Sequence, residues 1–397
     1  MARRVARPSF AIGSVRVRSG SAREVSLPIT RLVTGADVAL PVHVIHGREE
    51  GPTVWLDAAV HGDEVVGVEV IRRVLARLSP LTVRGTLVAV PIVNVLGFMA
   101  GERYLPDRRD LNRSFPGSAR GSLASRIAHL LMTEVIAKSE VGIDLHTGAA
   151  SRSNLPQIRC DLDDPRTREL AHAFGAPVVY HAKLRDGSLR SAAREAGARV
   201  LLYEAGEAWR FDEWAIDAGV RGVWRVLAAL DMIDPIEGPP DEPSLETRRS
   251  AWVRAHGTGI LQLEAELGAR VVEGQRLGGL SDSFGRRLRL VRADRDGIVI
   301  GRTEAPLVNR GDAIVHIAEI SQGGSAGARA GGAAEAEVSQ DAALADDRAW
   351  DEDMPLRADL ALDDDLAEDG ALAEGAALSD GAAPAEADAV PEDHVAR

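Results

Sequence analysis

His61-Gly62-Asp63-Glu64 sets an imidazole and a carboxylate three positions apart. On a turn between a strand and a helix, both groups can point at one place. Zinc accepts both donor types in a roughly tetrahedral shell at ~2.0–2.2 Å. Taken alone, a His-x-x-Glu also reads as a solvated turn, so it needs a third ligand, a general base and a substrate clamp. Asp144-Leu145-His146-Thr147-Gly148 offers the third ligand. His146 closes a predicted strand, and Asp144, two residues earlier on the same strand face, can orient its ring.

Leu202-Tyr203-Glu204-Ala205-Gly206-Glu207 offers the base. A carboxylate at the end of a buried strand can take a proton from a metal-activated water and deliver one to a leaving nitrogen. A salt-bridged strand end is the plain alternative for Glu204, and Glu207 is the rival base one step into the loop. Arg103-Tyr104 and Asp110 to Gly117 offer the clamp. The planar fork of Arg113 suits a carboxylate, and Asn112 adds a neutral donor. An arginine near a metal can also stabilise an oxyanion. Arg108 and Arg109 read as a solvated basic loop.

The elements that must position these groups follow from apolar patterning. Thr53 to Val60 reads as a buried strand and Val65 to Leu78 as the amphipathic helix after it. Ligands of open α/β sheets bind beyond the carboxyl ends of the strands, where this turn lies. Gly85 to Val93 is a second buried strand, Val141 to Leu145 a third, and Arg199 to Tyr203 a fourth. Ser122–Ser139, Pro165–Phe174, Ser188–Ala196 and Phe211–Leu230 have helical spacing. Asn94 to Gly117 has no clear period and is too long for an idle connection. Residues 10–50 alternate as two or three antiparallel strands. The order predicts an α/β fold with a mixed, mainly parallel sheet flanked by helices. Beyond a linker-like stretch at Asp234 to Pro243, Trp252 to Glu319 reads as a small all-β module of short strands and Gly turns.

Composition narrows the function classes. A chain of 397 residues with 45% hydrophobic content can bury sizeable cores. No run approaches ~18 apolar residues, so no transmembrane helix is expected. Met1 to Val15 is basic without an apolar core, a poor signal peptide, and cytoplasm is the default location. The single cysteine, Cys160, rules out an intramolecular disulfide and a Cys-based zinc cluster. The net charge of −13 belongs to the tail: residues 321–397 hold 20 acidic and 4 basic residues, leaving 40 and 43 elsewhere. That tail, rich in Ala, Gly, Asp and Glu, is expected to be disordered. No basic stripe with aromatics suggests nucleic acid. A homo-oligomer and a partner for the tail stay open.

Together these residues resemble the succinylglutamate desuccinylase/aspartoacylase family, the deacylase-like branch of the zinc carboxypeptidase superfamily. The carriers are His61-Gly62-Asp63-Glu64, Asp110-Leu111-Asn112-Arg113, Asp144-Leu145-His146-Thr147-Gly148 and Glu204-Ala205-Gly206, in order over roughly residues 25–320. The resemblance implies one zinc per chain, held by His61, Glu64 and His146, with Glu204 activating the water. It implies that Asn112 and Arg113 bind a substrate carboxylate and that Arg103 stabilises the oxyanion. The segment between Arg103 and Asn112 looks about two residues longer than in aspartoacylases. A second substrate arginine is Arg190 or Arg194. The implied organisation is a zinc hydrolase domain over 1–240, a barrel-sandwich module like lipoyl or biotinyl domains over 241–320, and the tail over 321–397. The module cannot carry lipoate or biotin on lysine, because no lysine follows Lys183. The expected function is hydrolysis of an amide in an N-acyl amino acid or related small carboxylate. Carboxypeptidase or esterase action and a non-catalytic binding protein are the alternatives.

Overall fold

In the computed structural model, which describes residues 7–320 apart from 236, 237, 239 and 241, alternation along the central strands sets the layers. Val54, Leu56 and Ala58 of the Glu49–Ala58 strand enter one apolar cluster, whereas Trp55 enters another on the opposite face. The Arg84–Val90 strand divides in the same way, Leu87 and Ala89 against Val88 and Val90. Successive strand side chains point to opposite faces, so a strand apolar at every position is buried on both. Helices Val66–Leu75, Pro165–Phe174 and Glu213–Ala229 cover the first face. Helices Leu123–Glu134 and Leu189–Glu195 cover the second.

The helices form where the sequence supplies both a stripe and its ends. Val66–Leu75 buries Val66, Gly67, Val70, Ile71 and Val74, one face of a helix. Burying each such Val or Ile side chain is worth ~1.5–3 kcal/mol. That outweighs the solvent-screened bonds from Arg72 and Arg73 to Glu69 on the exposed side. Pro165–Phe174 has all its signals in place. Asp164 accepts from Thr167 N at 3.0 Å, Pro165 opens the first turn, and Gly175 closes it at φ 77°.

Strands Arg199–Glu207, Val141–Gly148, Glu49–Ala58 and Arg84–Val90 lie side by side and parallel at the centre of a thirteen-stranded sheet. Asp37–His46 and Ser21–Arg31 extend one flank antiparallel. On the other flank Arg152–Cys160 runs antiparallel to Arg199–Glu207 and continues to Gly297–Thr303, Ala313–Glu319 and Ser250–Arg254. The sheet is therefore mixed, as expected, with parallel pairing concentrated in its core. Val178–His181 branches from Arg152–Cys160, and Leu245–Thr247 pairs beside it.

Three features depart from the sequence reading. Arg152–Cys160 and Val178–His181 are strands that patterning did not mark. Asn94 to Gly117 contains a short helix, Val95–Ala100, and a 3-10 turn, Leu111–Arg113, both too short to show a period. The C-terminal β region forms its own four-stranded sheet from Arg287–Arg292, Arg276–Ser281, Gly259–Leu263 and Leu307–Val308, yet lends other strands to the large sheet. The linker stretch lies partly, and the acidic tail wholly, outside the described residues. Among those described, no helix is long and apolar enough to cross a membrane. Cys160 is fully buried, and burial pushes its thiol up to about 12.

One close approach locks the sheet centre. The Trp55 indole lies over Gly142 on the neighbouring strand, where a Cβ would meet Trp55 Cζ2 at 2.0 Å. Trp55 is fully buried and donates from Nε1 to Asp57 Oδ1 at 2.7 Å. Overpacking such a site costs ~1–3 kcal/mol. Gly142→Ala is therefore expected to lower the unfolding free energy from chemical denaturation by about that amount, with an earlier midpoint. An unchanged midpoint would contradict this packing.

Candidate active site

Strand register brings the chemistry to one edge. Glu204 pairs in register with His146, and Asp57 with Asp144. Ile143, Leu145, Leu201 and Tyr203 enter the first core. Their neighbours Asp144, His146, Leu202 and Glu204 thus project from the opposite face. His61 arrives from the turn after Glu49–Ala58. There Ala59 adopts φ 50°, a left-handed conformation costing an L-residue ~1–2 kcal/mol. Bonds from Val93 N to Ala58 O (3.0 Å) and Asn94 N to Ala59 O (2.8 Å) hold it. Gly62 has no room for a side chain: a Cβ there would lie 2.2 Å from the backbone of Gly97. The turn is thereby pressed onto the Val95–Ala100 helix.

Glu64, 2% exposed, is the focus of the arrangement. His61 Nδ1 lies 2.7 Å from its Oε1 and His146 Nδ1 2.7 Å from its Oε2. Thr147 N–H donates to Oε2 at 3.1 Å, and Arg103 Nη1 to Oε1 at 2.8 Å. Each imidazole turns its other nitrogen to a buried aspartate. Asp144 Oδ1 is 2.9 Å from His146 Nε2, and Asp110 Oδ1 is 3.3 Å from His61 Nε2. Burial alone would raise the Glu64 carboxyl, but the two imidazoles hold it well below its usual range. Burial opposes a charged His146, yet Asp144 and Glu64 lift it well above the ordinary histidine value.

These three residues fit a divalent metal. Their donor atoms lie within 4.8 Å of one another, and all three are buried. Two neutral imidazoles and a carboxylate match the donor set zinc prefers, and an aspartate behind each ring is the usual way such ligands are oriented. The sequence identified Asp144 in that position but assigned Asp110 only to the clamp loop.

The remaining candidates fall unevenly around the adjoining cavity. Glu204 lines it, accepting from Asn154 Nδ2 at 2.9 Å and lying 3.3 Å from Arg159. Glu207 turns instead to Arg210 at 2.8 Å. Asn112 and Arg113 line the cavity. Asn112 Oδ1 accepts from Leu189 N at 2.9 Å, which leaves its Nδ2 as the donor side. Arg190 lines the cavity too, whereas Arg194 pairs with Asp161 at 3.3 Å. Burial, then the neighbouring Arg159, lowers the Arg190 guanidinium to about 10. Asn154, Arg159, Arg152, Trp252 and His316 were not found from sequence. They lie on strands with no flanking motif, and the last two stand far along the chain in the C-terminal β region.

Comparison with known proteins gives a consistent picture. Residues 50–230 match the model of the succinylglutamate desuccinylase/aspartoacylase catalytic domain. The N-alpha-acetyl-L-2,4-diaminobutyric acid deacetylase of Halomonas elongata is 32% identical over 296 residues, covering 71% of this chain and 86% of that protein. The crystal structure of a succinylglutamate desuccinylase/aspartoacylase from Rhodobacter sphaeroides is 30% identical. It superposes with a TM-score of 0.67 over 76% of this chain and 95% of its own. The product-bound ectoine utilization protein EutE (DoeB) from Ruegeria pomeroyi is 25% identical. Its TM-score is 0.69, over 79% and 98% of the two chains.

The carboxylate behind His146 has a measurable consequence. Removing a group that orients a metal-binding histidine typically weakens affinity ~10–100-fold. Asp144→Asn is expected to do so in a competitive zinc titration with the fold retained by circular dichroism. Parent-like affinity would show that Asp144 does not serve the site.

Proposed function

The chain belongs to the succinylglutamate desuccinylase/aspartoacylase family, and from that premise we propose that it is a zinc-dependent hydrolase cleaving the amide of an N-acyl amino acid. One observation carries the reading: His61, Glu64 and His146 converge at the wall of a cavity that Glu204, Asn112 and Arg113 also line. The related proteins named above include a deacetylase and a succinylglutamate desuccinylase/aspartoacylase, which favours deacylation over carboxypeptidase or ester hydrolysis.

In this reading His61, Glu64 and His146 hold the ion, which when bound supplies Lewis acidity and makes water a stronger acid. Asp144 and Asp110 keep the two rings in the orientation that turns Nδ1 to Glu64, where the ion would be held. Glu204 accepts the proton of the attacking water, as the water oxygen bonds to the acyl carbon. It then passes that proton to the nitrogen as the C–N bond breaks, leaving a carboxylic acid and an amine. Asn154 holds Glu204 from the neighbouring strand during both transfers. Arg103 donates to the oxygen that gains negative charge, in a site where burial strengthens the interaction. Asn112 Nδ2 and the Arg113 fork bind the substrate carboxylate and so place the scissile amide. Arg190 adds positive charge to the same wall.

Loss of a proton-transfer group costs ~10²–10⁴ in rate. Glu204→Gln keeps the shape and removes the basicity. It is expected to retain zinc by elemental analysis while kcat on N-acyl amino acids falls within that range. A near-parental kcat would move the base role away from Glu204.

A further inference from the structure

The residues just past the base candidate do more than end its strand. Glu204 lies on Arg199–Glu207, whose register shifts between Glu204 and Glu207, with Gly206 at φ 73°. The chain leaves through Ala208, whose N–H donates to Gly148 O at 3.0 Å, and then Trp209. Trp209 holds φ 60°, left-handed backbone that a bulky L-residue avoids. Such a conformation persists only where the surroundings over-determine it.

Two hydrogen bonds, from opposite ends of the residue, do so here. The Trp209 backbone N–H donates to Asp63 O at 2.9 Å, inside the turn that carries His61 and Glu64. The indole Nε1–H donates to Gly101 O at 3.1 Å. The ring also covers Gly101, where a Cβ would lie 3.1 Å from Trp209 Cζ2. Gly101, at φ 75°, ends the Val95–Ala100 helix, and Arg103 follows two residues later. Arg103 O accepts from Gly62 N and from Asn94 Nδ2, both at 3.2 Å, and its guanidinium reaches Glu64 Oε1 at 2.8 Å.

Trp209 thus joins three parts of the site: the strand of Glu204, the turn of His61 and Glu64, and the loop of Arg103. It is not among the residues that line the cavity, whereas Arg103 is. The indole is 50% exposed, so core burial gives it little reason to be there. A donor aimed at developing charge works only if it is placed beforehand, and a small misplacement by a remote residue can cost much of the rate. We propose that Trp209 is a positioning residue for the hydrolysis, its indole N–H fixing through Gly101 the loop from which Arg103 meets the charged oxygen. This rests on the deacylase reading and on the role given there to Arg103.

The test uses the zinc-loaded full chain and a panel of N-acetyl and N-succinyl amino acids. Trp209→Phe keeps a ring and removes the N–H. It is expected to lower kcat roughly three- to tenfold, the effect of one neutral hydrogen bond, with KM within about twofold. In an Arg103→Gln background the same substitution should change kcat by less than about twofold, because its effect runs through Arg103. Amide hydrogen exchange across residues 98–105 should quicken in Trp209→Phe, with zinc content and melting temperature unchanged. A parental kcat for Trp209→Phe, or an equal loss in both backgrounds, would overturn the proposal while the deacylase reading stands. A parental kcat for Arg103→Gln would remove the group through which Trp209 acts, and the proposal with it. Turnover of no panel member by the parent would overturn the deacylase reading as well.

Discussion

A carboxylate taken fully out of water must be met by charge or by hydrogen-bond donors. Glu64 is such a group, and the region around it is built to meet it. Two imidazoles, a backbone N–H and a guanidinium converge on its two oxygens. They come from the turn after Glu49–Ala58, the end of Val141–Gly148 and the loop at Arg103. The strands behind the first two, Glu49–Ala58 and Val141–Gly148, are parallel neighbours in register. The Gly62 close approach and the left-handed Ala59 are the local costs of aiming the turn at that point. A divalent cation would be met by the same carboxylate and the two imidazoles, and the proposed chemistry follows from that.

Legibility from sequence tracks how local each signal is. His61 and Glu64 share one turn. Asp144 and His146 share one strand, and Glu204 directly follows the plain apolar run of its strand. Each can be read within a window of a few residues. Asp110 could not be given its place behind His61, because that contact spans 49 residues and depends on how the Asn94–Gly117 loop folds back. Arg152–Cys160 escaped notice for a different reason. Pro156 and Arg159 interrupt its pattern, although Leu155, Ile158 and Cys160 are packed into cores. With that strand unmarked, its position between the Glu204 strand and the C-terminal β strands was invisible. So were Asn154 and Arg159 beside Glu204.

The Arg152–Cys160 strand explains why the C-terminal β region matters to the cavity. One edge pairs with Arg199–Glu207 and the other with Gly297–Thr303, so a single strand connects the base candidate to the far wall. Beyond Gly297–Thr303, His316 stands on the next strand of the same sheet and Trp252 on the one after it. The C-terminal β region thus contributes Ser250, Trp252 and His316 to one side of the cavity. The apolar cluster of Val253, Leu261, Leu277, Val299 and Ile314 keeps that wall in place.

The central claim is that one ion, held at Glu64, is required for hydrolysis of an N-acyl amino acid. The direct measurement is zinc content per chain alongside turnover of an N-acyl amino acid panel, before chelation, after chelation and after zinc is restored. The account predicts about one zinc per chain, loss of turnover with the metal, and recovery when it returns. Parental turnover by the metal-free chain would contradict it.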